Sequence, residues 1–189
     1  MTLAEKKLRR ELDLLPDGLR AHVERVLDEA TRLAARHGVD ESKVRLAVLA
    51  HDLLRVTPRE ELLRLAAERG IEPNEAERAE PILLHGPIAA SLLRERFGID
   101  DAEVLNAVRY HTTGRAGMSD VEKVVFLADK TEPDEIVHYP QWREVRDLAQ
   151  HNLDAAMLRA LELYLERARQ ESWTVHPDVL AARAHFAAP

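Results

Sequence analysis

Residues 19–38 read LRAHVERVLDEATRLAARHG, and this stretch decides the fold class. Leu19, Val23, Val26, Leu27, Ala30, Leu33 and Ala34 recur at steps of three and four, the spacing that lines one face of an α-helix. Gly38 follows at the position where a helix commonly ends in the left-handed conformation. A long amphipathic helix is predicted, with His22 riding on it. Working outward, Asp40 is placed to cap a second helix, whose Val44, Ala47, Val48 and Ala50 lead into His51-Asp52. Thr57-Pro58-Arg59-Glu60 reads as a capping box with proline in the first helical turn, and Gly70 closes the helix it opens. Asp100-Asp101-Ala102-Glu103 and Ser119-Asp120-Val121-Glu122 repeat the box before helices predicted over 104–111 and 121–130. From 142 to about 169, Val145, Leu148, Leu153, Met157, Leu161 and Leu165 keep helical spacing, with a break near His151-Asn152. No segment alternates polar and apolar residues over a strand's length. The expected class is all-α: one domain over 1–189, with a core of about 19–176 and helical extensions at both ends.

Composition narrows the functional classes. With 46% hydrophobic residues and only 7 Gly and 9 Pro among 189, the chain can bury a core and is not low-complexity. No fixed-period repeat or Gly/Ser linker divides it. A net charge of −7 with 4% aromatic residues removes the general pull toward phosphate backbones, so nucleic acid is not expected as the main partner. A phosphorylated substrate must instead be attracted locally, by bound metal or a few placed cations. The absence of cysteine excludes disulfides, thiolate nucleophiles and iron–sulfur clusters, so any metal must be held by histidine and carboxylate. The opening MTLAEKK has no apolar run, and nothing approaches the ~18 apolar residues of a membrane span. A cytoplasmic protein without a membrane partner is expected, and a homodimer is compatible with the sequence.

Against these helices, His22, the adjacent His51-Asp52, His85, His111 and Asp129 stand out, each within or at the end of an apolar helix. Any one of them alone is more simply a core or surface polar residue. Together they form an ordered set drawn from different helices. Successive helical residues diverge by about 100°, so His51 and Asp52 can serve different neighbours and the aspartate can bridge two metals. Imidazole with carboxylate suits iron, manganese or zinc better than calcium. Two such ions roughly 3.5–4 Å apart would hold a hydroxide and clamp phosphoryl oxygens. Independently, the hydroxyls of Thr112 and Thr113, the backbone freed by Gly114 and the Arg115 guanidinium suit phosphate oxygens. The plain alternative for Arg115 is a solvated loop cation.

Four strings carry a resemblance: Leu49-Ala50-His51-Asp52, Leu84-His85-Gly86-Pro87-Ile88-Ala89-Ala90, Arg109-Tyr110-His111-Thr112-Thr113-Gly114-Arg115-Ala116-Gly117-Met118-Ser119 and Phe126-Leu127-Ala128-Asp129-Lys130-Thr131-Glu132-Pro133. Over roughly 19–176 the chain resembles the HD-domain metal-dependent phosphohydrolases. Within them it is similar to the bacterial symmetrical bis(5′-nucleosyl)-tetraphosphatases. The resemblance implies an HD-domain helical bundle with two divalent ions, iron or manganese first and cobalt, magnesium or zinc as alternatives. It implies cleavage of diadenosine tetraphosphate to two ADP by a dimetal-activated hydroxide. By the same resemblance, His22, His51, Asp52 and Asp129 would hold one ion, and His85 and His111 the other, with Asp52 bridging. Thr112, Thr113, Gly114 and Arg115 would line the phosphate pocket. Arg115, Arg55 and Lys130 would stabilise charge beside Asp52, and His138, on its loop, is a further substrate contact to weigh against a structural role.

The chain also departs from that family. Arg55 stands where a lysine is usual, Val23 where a small hydroxyl residue is common, and Asp134 to Pro140 follow Glu132-Pro133 where relatives tend to carry an arginine two residues on. Two other readings stay open: the same site acting on a deoxynucleotide or cyclic dinucleotide, or a non-catalytic nucleotide sensor, against which the complete ligand set argues. His37 reads as a helix-end donor, His151, His176 and His185 as surface or turn residues, and Trp142 and Trp173 as packing residues.

Overall fold

The computed structural model describes residues 1–188, so Pro189, the last position of the expected span, lies outside the described residues. Twelve α-helices follow one another: α1 Leu3–Leu12, α2 Asp17–His37, α3 Glu41–His51, α4 Arg59–Glu68, α5 Glu75–Ala79, α6 His85–Leu92, α7 Ala102–Tyr110, α8 Asp120–Thr131, α9 Pro133–His138, α10 Trp142–Ala149, α11 Leu153–Gln170 and α12 Pro177–Phe186. A 3-10 turn at Pro81–Leu84 precedes α6, and a π-helical turn at Leu93–Phe97 follows it. No strand occurs among the described residues, and no helix there is long and apolar enough to cross a membrane.

The stripe that defines α2 faces inward as its periodicity requires: Val23, Val26, Leu27, Ala30, Leu33 and Ala34 are all buried, against α8 and α3. Each Val or Leu taken fully from water contributes roughly 1.5–3 kcal/mol before entropy is counted. Helix α8 is enclosed differently. Val124, Val125, Phe126, Leu127 and Ala128 are consecutive and all buried, the mark of a helix surrounded on every side. Helices α2, α3, α7, α10 and α11 supply that surround. One apolar cluster runs from Leu8 and Leu12 of α1 to Val179 and Ala182 of α12, and a small second one joins Leu62 and Ala66 to Leu84 and Ile88.

Most helix ends fall where the sequence signals them. Asp40 accepts from the amides of Ser42 and Lys43, Ser119 and Glu122 form a reciprocal capping box, and Gly38 and Gly70 adopt φ of 69° and 65°. Two expected boxes are not formed. Pro58 itself occupies the cap position of α4 without a side-chain bond, leaving the Thr57 hydroxyl one residue out of register. The cap of α7 is Asp101, which takes the amides of Glu103 and Val104 with no reciprocal bond. The break at His151-Asn152 separates α10 from α11, with Asn152 capping the latter.

Candidate metal centre

The ends of four helices and the second turn of α2 converge on one spot. His22 projects from α2, His51 is the last residue of α3, His85 opens α6, His111 caps α7 and Asp129 lies in the last turn of α8. Asp52 is not a helical neighbour of His51, as the sequence had suggested. At φ −108° and ψ 16° it has already left the helix, in a region where active-site residues are often found. Helices α6 and α7 approach closely because residue 86 is glycine. A Cβ there would stand 2.8 Å from the Val108 carbonyl, 3.0 Å from that of Arg109 and 3.1 Å from His111 Cε1.

Three histidines are oriented by one device. Nδ1 of His51, His85 and His111 bonds the backbone carbonyl three residues earlier, that of Val48, Ile82 and Val108 respectively. A carbonyl can only accept, so Nδ1 carries the hydrogen of the neutral ring, and Nε2, once free of any second proton, presents its lone pair inward. His22 is turned instead by a carboxylate, its Nδ1 3.2 Å from Glu132 Oε1. The six side chains fall into two groups, His22, His51 and Asp129 and then Asp52, His85 and His111. Asp52 links them. Its Oδ1 lies 3.1 Å from His85 Nε2 and 3.6 Å from His111 Nε2, while Oδ2 lies 3.5 Å from His51 Nε2 and 3.8 Å from His22 Nε2. Asp129 Oδ1 completes the first group, 3.1 Å from His22 Nε2 and 3.7 Å from His51 Nε2.

Two observations show that this donor set fits cations. His51 Nε2 is fully buried with no hydrogen-bond partner, a costly state for a nitrogen that is not bound to something else. His85 and His111 bring their Nε2 atoms within 2.9 Å of each other, although both Nδ1 atoms donate to carbonyls. Two lone pairs so close repel unless a positive centre lies between or beside them. The charges agree. Burial favours neutral carboxyls, yet His51, His111 and His85 hold Asp52 well below the usual carboxylate range, and Lys130, His22 and His51 do the same for Asp129. Burial opposes protonation of His51, but Asp52 and Asp129 raise it to about 9, whereas burial dominates at His111 and lowers it to about 4.

A cavity of about 790 Å³ opens beside the centre, with His22, Asp52, His85, His111 and Asp129 in its wall. Arg55, Thr112, Lys130 and His138 also line it. Thr112 Oγ1 lies 3.2 Å from His111 Nε2, and the Lys130 ammonium is paired with Asp129. The rest of the His-Thr-Thr-Gly-Arg run turns away, which corrects the expectation for it. Arg115 spends Nε and Nη2 on the buried carboxylate of Glu122, at 2.7 and 2.6 Å, while Nη1 donates to the Ala116 carbonyl. The Thr113 hydroxyl donates to the Gly114 carbonyl, and a side chain at Gly114, where φ is 65°, would point toward Met118, Ala182 and Met157.

His138 ends α9 rather than sitting on a loop, and its Nδ1 lies 2.8 Å from the Asp134 carbonyl. His176 is buried, not a surface residue: its Nδ1 accepts from the Asp178 amide and its Nε2 faces Asn74 and Glu77. Trp173 is 44% exposed and so is no core residue, but it packs on α11 against Tyr164 and Arg167. The sequence reading assigned no role to Glu132 or Arg25. Glu132 is almost wholly buried, orients His22 and is gripped by Arg25 at 2.8 Å. The available signal was spacing, since Arg25 stands one turn beyond His22 and Glu132 one turn beyond Asp129.

The HD domain model matches residues 19–134, more than half of the chain, and the chain belongs to the HD-domain family and is an all-α HD-domain hydrolase. More particularly, it is a homologue of proteins named symmetrical bis(5′-nucleosyl)-tetraphosphatase. It is 33% identical to that of Bacillus subtilis over 157 residues, 83% of each chain, and 35% identical to that of Staphylococcus aureus over 145 residues, 77% of this chain and 73% of the relative. The crystal structure of a Clostridium acetobutylicum protein described as a predicted HD superfamily hydrolase involved in NAD metabolism superposes with a TM-score of 0.90 at 30% identity, covering 98% of this chain and 97% of the other.

Proposed function

We propose that this chain hydrolyses diadenosine tetraphosphate at the centre of its phosphate chain, giving two ADP. The observation that carries the reading is the division of Asp52, one oxygen toward each group of nitrogen donors. Divalent ions bound there, iron or manganese by the nature of the donors, would supply an activated water and neutralise the phosphoryl oxygens under attack. The protein's own part is orientation and charge. His51, His85 and His111 are locked with Nε2 inward, Glu132 does the same for His22, and Asp52 and Asp129 remain anionic at working pH. Arg55, Lys130 and Thr112 stand on the cavity wall where phosphate oxygens would lie, and their donors suit the charge that develops as ADP leaves. The family names of the homologues support the same substrate.

Chromatography of the early reaction of metal-loaded protein with diadenosine tetraphosphate tests the reading. Two ADP are expected, and in oxygen-18 water the label should sit on the terminal phosphate of one ADP per substrate. AMP and ATP in equal amounts would rule out central cleavage. Survival of the compound beside rapid hydrolysis of a deoxynucleotide or cyclic dinucleotide would move the activity to that substrate, and nucleotide binding without turnover would identify a sensor.

A further inference from the structure

Four cationic side chains with very different partners line the cavity beside the metal centre. Arg25 is bound to Glu132 and Asp134, and Lys130 to Asp129. Among the described residues, Arg55 and Arg167 have no carboxylate within ion-pair distance. Arg167 is held in another way. It stands in the last turn of α11 with its Cζ 4.9 Å from the ring centroid of Tyr139 and 5.1 Å from that of Trp173. Trp173 leans in turn on Tyr164, their centroids 6.2 Å apart, and Tyr139 lines the same cavity.

A guanidinium laid on aromatic rings has its plane fixed, while the N–H groups in that plane stay free for an acceptor. Such a fork matches two oxygens of one phosphate group, and it does so better than a lysine, which offers only a point charge. The surroundings sharpen the argument. Glu132, Asp134 and Glu135 share the cavity wall and the chain is acidic overall, so an arginine there without an acidic partner is a local reversal of charge. Packing alone does not account for the cluster, since Arg167 is exposed and Trp173 is 44% exposed. Nor are Tyr139 and Trp173 open platforms for a base, because the guanidinium already lies against both rings.

We propose that Arg167, oriented by Tyr139 and Trp173, is a specificity-determining residue that binds a phosphate group of the substrate lying beyond the metal pair, so that this edge of the cavity selects nucleotides with an extended polyphosphate. The inference rests on the proposed phosphohydrolase reading for the identity of the natural substrate, but the contact with phosphate can be tested apart from it.

The test is calorimetric binding of inorganic tripolyphosphate, and separately of adenosine, to metal-loaded protein. Arg167→Ala should weaken tripolyphosphate binding about ten- to a hundredfold, the range for a charge-assisted contact, with adenosine binding and metal content unchanged. Arg167→Lys should recover part of the loss. Trp173→Ala, which removes one supporting ring, should weaken binding about two- to fivefold, and Trp173→Phe should restore it. In turnover of diadenosine tetraphosphate, Arg167→Ala should raise KM about tenfold while kcat changes little. Equal tripolyphosphate affinity in wild type and Arg167→Ala would overturn the inference, as would a loss confined to adenosine. If wild type leaves diadenosine tetraphosphate intact while its tripolyphosphate binding still depends on Arg167, the proposed activity fails and this inference stands.

Discussion

Asp52 divides its two oxygens between two groups of histidines, so its replacement should differ in kind from replacement of a ligand that serves one group. Asp52→Asn should lower the content of both ions, and His85→Ala should mainly empty one, as read by elemental analysis of monodisperse protein. If these are only polar core groups, both variants will lose stability with no loss of metal per folded chain. Arg115 predicts the opposite pattern. Its removal leaves the carboxylate of Glu122, which is 1% exposed, with the Ser119 amide but no countercharge, so Arg115→Ala should cost about 1.5–3 kcal/mol of stability while metal content and kcat hold. A variant of full thermal stability but greatly reduced kcat would return Arg115 to a phosphate contact. The six candidate ligands were legible because a cysteine-free chain leaves few donors and each lay at a recognisable helix position. Arg115 was not, because its partner Glu122 could be read only as half of a capping box; its second role, accepting a guanidinium across the turn, exists only in three dimensions.

At the scale of elements, the approach of α6 to α7 is set by the missing side chain at Gly86. Gly86→Ala must push a methyl group against two backbone carbonyls that cannot move aside without shifting α7, at a cost of about 1–3 kcal/mol. Because His85 and His111 sit at that crossing, the variant should also lose metal affinity, measurable by competition with a chelator; unchanged affinity would separate the helix crossing from the site. Long amphipathic helices with Asp, Ser or Gly at their ends were readable from sequence, as α2, α3 and α8 show. Helix α5, the 3-10 turn and the π-helical turn have 5, 4 and 5 residues, too few for a period to appear. The burial of His176 was hidden for another reason, since Asn74 and Glu77, which surround it, lie about a hundred positions away in the chain.

For the whole molecule, protons and metals compete for the same place. His51 is raised to about 9 from an ordinary 6.5, because Asp52 and Asp129 outweigh its burial, so the metal-free protein holds a proton there at neutral pH. A value raised in the folded state stabilises the fold fully below pH 6.5, and that contribution is lost as pH rises through about 9. Metal must displace this proton, so affinity should rise over the same interval while metal-free stability falls. Manganese titration at pH 7 in buffers of different ionisation enthalpy should show proton release, and a pH-independent affinity would contradict the assignment. His111, lowered to about 4, should contribute none of that release. Five of the six side chains stand at helix ends, so the spacing between them is counted out in helical residues. One inserted residue turns a helix by about 100° and lengthens it by about 1.5 Å, and α3 or α7 could then keep its apolar face or its terminal donor in place, but not both. An insertion in the connection between α4 and α5 or between α11 and α12 would move none of them. Tolerance to changes in chain length should therefore map onto the bundle as a pattern of its own, with rigid counting inside the four helices that end at the centre and freedom in the links that do not reach it.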